Sequence, residues 1–213
     1  MKQKSRTEYS VMNTTVAFLA QTLAIFMGFF TRVVFTRTLS EGYVGINGLF
    51  TDILNILSLS ELGVGTAITY ALYAPIARRD IKKQQILMRM FRNFYRITAG
   101  FVVLAGLCLI PFLDILMKDR PDVNHLIIIY LLYLLNSVVS YLLIYKKTLV
   151  DAHQMNYITV MYHNGFLVLQ DILQIMALFL TRNFILFLVI AVVCTIIGNI
   201  CMSRKADRLF PYL

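Results

Sequence analysis

The side chains of this chain that could do chemistry are few, and most lie in apolar surroundings. Glu61 sits in Ser60-Glu61-Leu62-Gly63-Val64-Gly65, inside the apolar stretch Leu49 to Tyr73. If that stretch crosses a membrane, a glutamate about twelve residues from either end is too deep to reach water. It then needs a cavity, a partner or a proton, which marks it as a functional candidate. Asp52 projects about 180° away from it and about 13 Å along the same helix, so the two cannot pair. With Asn55 on an adjoining face, Asp52 reads as facing the membrane surface.

Two further stretches carry polar faces. Between Tyr157 and Leu180, residues His163, Asn164, Gln170, Asp171 and Gln174 recur at helical spacing and form a polar face about two turns long. Such a face lines a water-filled path or hydrogen-bonds to neighbouring helices, and both readings stand. Between Thr14 and Phe35, residues Gln21, Gly28 and Arg32 fall within about 40° of one another. Arg32 either lines a cavity or snorkels to the nearby membrane surface. With Arg37 just beyond it, the end of this helix is cationic either way and suits phosphate oxygens. Asn136, Ser137 and Ser140 read as ordinary packing material.

Catalytic constellations are missing, and the reading is of a non-enzyme that calls for no cofactor. His125, His153 and His163 lie in different segments with no partner at metal-ligand spacing, so no metal site is proposed. No glycine-rich phosphate loop and no GxSxG elbow occurs. Cys108, Cys194 and Cys201 lack a CxxC spacing and read as small core residues. Gly63 and Gly65 allow either local unwinding or close helix packing, with packing the better reading.

The elements that position these residues follow from composition. The chain has 213 residues, of which 59% are hydrophobic, and a mean hydropathy of +0.72, well above the roughly 45–50% apolar content of ordinary globular domains. Apolar runs at 14–35, 49–73, 97–117, 126–145, 157–180 and 184–202 are each near the roughly 20 residues a helix needs to cross a bilayer. The expected fold is therefore all-α: a polytopic membrane protein of six transmembrane helices, read as a single six-helix unit over 1–213. The formal charge of +9 suggests nucleic acid only until the charges are placed. Lys2, Lys4, Arg6, the Arg78–Arg96 group, Lys146, Lys147, Arg204, Lys205 and Arg208 fall on one side of the predicted spans. Only Arg37, Lys118, Arg120 and Arg182 fall on the other. The positive-inside rule then makes both termini cytoplasmic and excludes a nucleic-acid footprint.

Residues 81–96 divide on a helical wheel into a basic face of Lys82, Arg89, Arg92 and Arg96 with Gln85, and an apolar face of Leu87, Met90, Phe91, Phe94 and Tyr95. This pattern predicts an interfacial helix whose basic face meets anionic membrane lipids, either as a simple anchor or in recruiting a lipid carrier.

The segments 38–50 (Thr38-Leu39-Ser40-Glu41-Gly42-Tyr43-Val44-Gly45-Ile46-Asn47-Gly48-Leu49-Phe50) and 57–68 (Leu57-Ser58-Leu59-Ser60-Glu61-Leu62-Gly63-Val64-Gly65-Thr66-Ala67-Ile68) carry a resemblance. So do Leu72-Tyr73-Ala74-Pro75, Tyr145-Lys146-Lys147 and Ala206-Asp207-Arg208-Leu209-Phe210-Pro211-Tyr212. Together they resemble the polysaccharide or O-antigen flippases of the multidrug/oligosaccharidyl-lipid/polysaccharide exporter superfamily. Ser40 departs from the glycine usual there. The resemblance covers nearly the whole chain and is specific in the first 75 residues.

It implies one lobe of a two-lobe exporter in the bacterial plasma (inner) membrane, a fragment that stops before a second lobe. The implied function is alternating-access transport of lipid-linked oligosaccharide on a polyprenyl-diphosphate carrier to the outer leaflet, in surface polysaccharide assembly. Polysaccharide polymerase and assembly proteins are implied partners. The resemblance gives Arg32 and Arg37 to diphosphate attraction and Gln21, Asn164, Gln170 and Gln174 to cavity lining. Glu61 and Asp171 become coupling or gate candidates. A drug or metabolite antiporter of the same superfamily, and a non-transporting scaffold of a polysaccharide synthesis complex, are the alternatives.

Overall fold

Helix ends in this chain follow local chemistry. Asp80 accepts from the Lys83 amide at 3.0 Å and caps one helix, while Asn183 accepts from the Ile185 and Leu186 amides and caps another. Arg182, in the left-handed region at φ 49°, makes the tight turn just before it. The computed structural model describes residues 6–58, 64–117, 123 and 125–212, and all regular structure among them is helical. In order these are α1 (Arg6–Thr38), α2 (Glu41–Ser58), α3 (Val64–Ala77), α4 (Ile81–Leu109) with a 3-10 turn at Ile110–Phe112, α5 (Leu113–Leu116), α6 (Leu126–Tyr141), α7 (Ile144–Ala152), α8 (Asn156–Thr181) and α9 (Phe184–Leu209).

Among the described residues, five stretches are long and apolar enough to cross a membrane: Val11–Thr38, Ile81–Phe112, Leu126–Ala152, Asn156–Thr181 and Phe184–Leu209. Val64–Ala77 is a shorter apolar helix. Phe18, Leu19, Phe26 and Phe29 on α1 are all more than half exposed, a surface that suits lipid and not water. The chain is an all-α, multi-pass membrane protein.

Where the sequence predicts one span over 49–73, the structure has α2 and α3 on either side of residues 59–63. Glu61, Ser60 and Gly63 lie outside the described residues. The first of these helices starts at Glu41 and not near Leu49, because the Ser40 carbonyl accepts from the Tyr43 and Val44 amides and begins a helical turn there. Gly65 lies within α3, and a Cβ there would sit 3.4 Å from the Tyr95 hydroxyl, in keeping with close packing. Residues 81–96, read from sequence as an interfacial helix, and the first part of the separate span read over 97–117 form one unbroken helix that ends at Leu109. No proline interrupts it before Pro111, and its buried residues Gln84, Met88, Phe91, Tyr95, Ala99 and Val102 keep one continuous stripe.

α1 packs chiefly on α8, α8 on α9, α9 on α6, and α6 on α4, with α7 wedged against α3 and α9. Three apolar clusters hold these helices. Phe35, Ile46, Phe50, Tyr130, Leu178 and Phe184 close one end, with edge-to-face rings such as Phe50 on Tyr130. Ile68, Leu72, Phe91, Leu149, Met202 and Phe210 close the other, which also carries Lys146, Lys147 and Arg204. Leu54, Tyr95, Val102 and Leu134 pack between them. At the basic end Gln84, 3% exposed, donates to the Pro75 carbonyl and accepts from the Tyr212 hydroxyl, tying the chain's last residues to α3 and α4.

His153, in the turn after α7, carries a pH dependence. Its Nδ1–H donates to the Leu149 carbonyl at 2.9 Å, and its ring centre lies 4.3 Å from that of Phe210, the two planes tilted by 38°. Burial pushes its pKa below 6.5, against the backbone hydrogen bond, which raises it. The unfolded chain therefore takes up more protons as pH falls below 6.5. The stability given by the neutral ring is complete above that value and is lost as pH falls through the folded pKa. Thermal unfolding in detergent between about pH 7.5 and 5.5 should show a steeper acid loss for the native chain than for His153→Phe. Equal slopes would remove the role.

Candidate functional site

Between Tyr141 and Ile144 the helix breaks: Leu142 is extended and Leu143 takes the left-handed region at φ 69°. In an unbroken helix the Val139 carbonyl would accept the amide of residue 143. Here it receives the Leu142 amide at 3.2 Å and the Asn199 side-chain amide at 2.9 Å, so α9 supplies a partner to the broken helix.

The kink opens a cavity of about 200 Å³ between α6, α7, α8 and α9. Its polar lining includes Ser140, Lys147, Thr159, Tyr162, His163, Gln170, Thr195 and Asn199, with Phe166, Leu167 and Met202 among the apolar walls. Among the described residues no acidic side chain lines it, and Lys147 and His163 share its wall toward the basic end. A second cavity, of about 380 Å³, shares Ser140 and is lined by Asn55, Tyr133, Asn136 and Ser137. The Thr195 hydroxyl lies 2.9 Å from both Asn136 Oδ1 and the Ala191 carbonyl, in the wall between them. The result is a polar strip through otherwise apolar helices, with one cation. It can hold hydroxyl-rich or anionic groups by hydrogen bonds and charge.

Of the expected lining residues, Gln170 stands on the cavity wall. Asn164, 3% exposed, instead donates to Gln21 Oε1 at 3.3 Å across the α1–α8 interface. Gln174, 2% exposed, donates to the Phe187 carbonyl at 3.0 Å and takes a long 3.5 Å contact from Gln170. Asp171 is half-buried, with the Thr31 hydroxyl 2.9 Å from its Oδ1. Among the described residues no buried side-chain polar atom lacks a partner. Interhelical bonding thus accounts for Gln21, Asn164, Gln174 and part of Asp171, as bilayer packing favours.

Arg32 and Arg37 are exposed at the opposite end, and the Arg32 guanidinium lies 5.6 Å over the Phe35 ring. Lys82, Arg89, Arg92 and Arg96 are all exposed along α4. Lys146 meets both carboxylate oxygens of Asp207 at 2.7 Å, joining α7 to α9.

Sequence reasoning passed over Thr195, Asn199 and Thr31, and read Ser140 as packing material. Lys147 read as a topology charge. The one available signal was Thr195 and Asn199 at i, i+4, a polar pair on one face of an apolar helix. Among the described residues no group of three His, Cys, Asp or Glu gathers as for a metal ion.

The fold and the site define a multi-pass helical membrane protein with a polar, cation-bearing strip between its helices. No family model, no curated protein and no solved structure matches the chain.

Proposed function

We propose that this chain is one six-helix lobe of an alternating-access transporter, with both termini cytoplasmic. It moves lipid-linked oligosaccharide, on a polyprenyl-diphosphate carrier, to the outer leaflet of the bacterial plasma membrane in surface polysaccharide assembly. The observation that carries this reading is the cavity at the kink, whose hydroxyls, amides and Lys147 meet no carboxylate among the described lining residues. A sugar supplies many hydroxyls and a diphosphate supplies negative charge, so both find matching groups along the strip.

The sequence resemblance supplies the identity of the sugar-lipid class. Arg32 and Arg37 serve as an anion-attracting rim at the far end, Gln170 lines the path, and Gln21, Asn164 and Gln174 support its walls. Asp171 and Glu61 are the coupling or gate candidates.

The test is deletion of the gene in the cells that make the protein. Lipid-linked oligosaccharide should accumulate in the membrane, on its cytoplasmic face, while surface polysaccharide falls. Normal surface polysaccharide would overturn the reading, and loss of cationic-dye efflux in its place would point to an antiporter. Loss of polymer without cytoplasmic-face accumulation would point to a scaffold.

A further inference from the structure

On the other side of the Leu142–Leu143 kink from the polar cavity lies a crevice of about 440 Å³, between α4, the kink and α9. Its floor is apolar, with Val139, Leu142, Ile196 and Ile200, and its rim carries Arg92 and Arg96. No carboxylate is among its described lining residues, and both arginines are exposed. Arg92 and Arg96 stand at i, i+4 on an unbroken helix, about 6 Å apart along its axis, so their guanidinium groups can bracket one phosphate.

The depths agree. Arg96 lies about 24 Å along its helix from Phe112, Ile196 and Ile200 about 18 and 24 Å from Phe184, and Val139 about 20 Å from Leu126. The cations and the apolar floor therefore share one level toward the basic end, where headgroups give way to acyl chains in a bilayer about 30 Å thick in its core. Two clustered cations over a carboxylate-free apolar slot at that depth match a ligand with a phosphate head and a hydrocarbon tail.

We propose that this crevice is a specific site for an anionic phospholipid, its phosphate held between Arg92 and Arg96 and one acyl chain seated against Val139, Ile196 and Ile200. The site is separate from the transport reading and stands or falls without it. The lipid acts as a wedge at the kink, filling the gap that the break leaves between α4 and α9.

Purified full chain is delipidated, exchanged into detergent with equal phosphatidylglycerol and phosphatidylcholine of matched acyl chains, and examined by native mass spectrometry. The expected result is a roughly tenfold preference for phosphatidylglycerol, lost in R92A/R96A and kept in R78A/R79A. Glycerol phosphate, which has the head but no tail, should not compete. R92K/R96K keeps the charges without the planar fork and should keep only part of the preference, which covers the case of a poorly folding alanine variant. Equal retention of the two lipids, a preference indifferent to Arg92 and Arg96, or displacement by glycerol phosphate each overturns the proposal. So does a dimer that depends on the two arginines without any lipid preference, which would give the crevice to a second copy of the chain.

Discussion

On the proposed transport function, Lys147→Glu is expected to lower surface polysaccharide output roughly tenfold or more at normal protein level, while Lys147→Arg retains most of it. Lys147 is the one charged side chain among the described residues lining the cavity at the kink, and Asp151 lies one turn further along α7. Glutamate at 147 would face Asp151 at i, i+4 and would present a second negative charge to an anionic head group. Like charges brought together cost several kcal/mol, and about 1.4 kcal/mol already changes an equilibrium tenfold. Lys147→Met keeps the length without the charge and should fall between the two. Output is measured as surface polysaccharide normalised to the membrane level of each variant. If Lys147→Glu matched the native chain, this cavity would have no part in handling the anion.

Gly106→Val is expected to destabilise the bundle by about 2–3 kcal/mol, read as a lower midpoint of thermal unfolding in detergent. A Cβ at this position would lie 2.4 Å from Leu134 Cδ1, 2.9 Å from Cδ2 and 3.2 Å from Cγ. Only a change of χ1 moves all three atoms at once, so either Leu134, buried between the helices, leaves its packed rotamer or α4 and α6 separate. The same contact is fixed by the Tyr130 hydroxyl, which donates to the Gly106 carbonyl at 2.8 Å and resists that separation. Leu134→Ala alone leaves a cavity and also destabilises. Combined with Gly106→Val it should recover part of the loss, because the new methyl groups occupy the vacated space. Strictly additive losses would show that the two positions do not share this space.

Much of the fold is legible in the sequence because lipid solvation writes long apolar runs into it. The stretches over 126–145, 157–180 and 184–202 each fall within a helical stretch suited to crossing a membrane. The break at Leu142–Leu143 was not legible. Tyr141-Leu142-Leu143-Ile144 holds no glycine or proline, and the partner that satisfies the Val139 carbonyl, Asn199, is 60 residues away. The continuity of α4 was equally hidden, since a change of composition at Ile97 looks like a boundary even where helical geometry continues. At the site, the polar character of α8 was plain, but its division was not. Whether Asn164 faces Gln21 or a cavity depends on how α1 docks, and a single sequence carries no record of that docking. Glu61, the residue most conspicuous in the sequence, lies outside the described residues.

The hydrogen bonds between α1 and α8 also set how this molecule can move. Asn13 donates to the Gln154 carbonyl and accepts the Tyr157 amide, so α1 caps the first turn of α8. Gln21 meets Asn164 and Thr31 meets Asp171 further along. From Asn13 to Thr31 these clasps span about 27 Å of helix. A slide of one helix past the other by a turn, about 5.4 Å, would open all of them at once. α1 and α8 are therefore locked in register and travel as one lever, so any rocking of the bundle must pivot elsewhere.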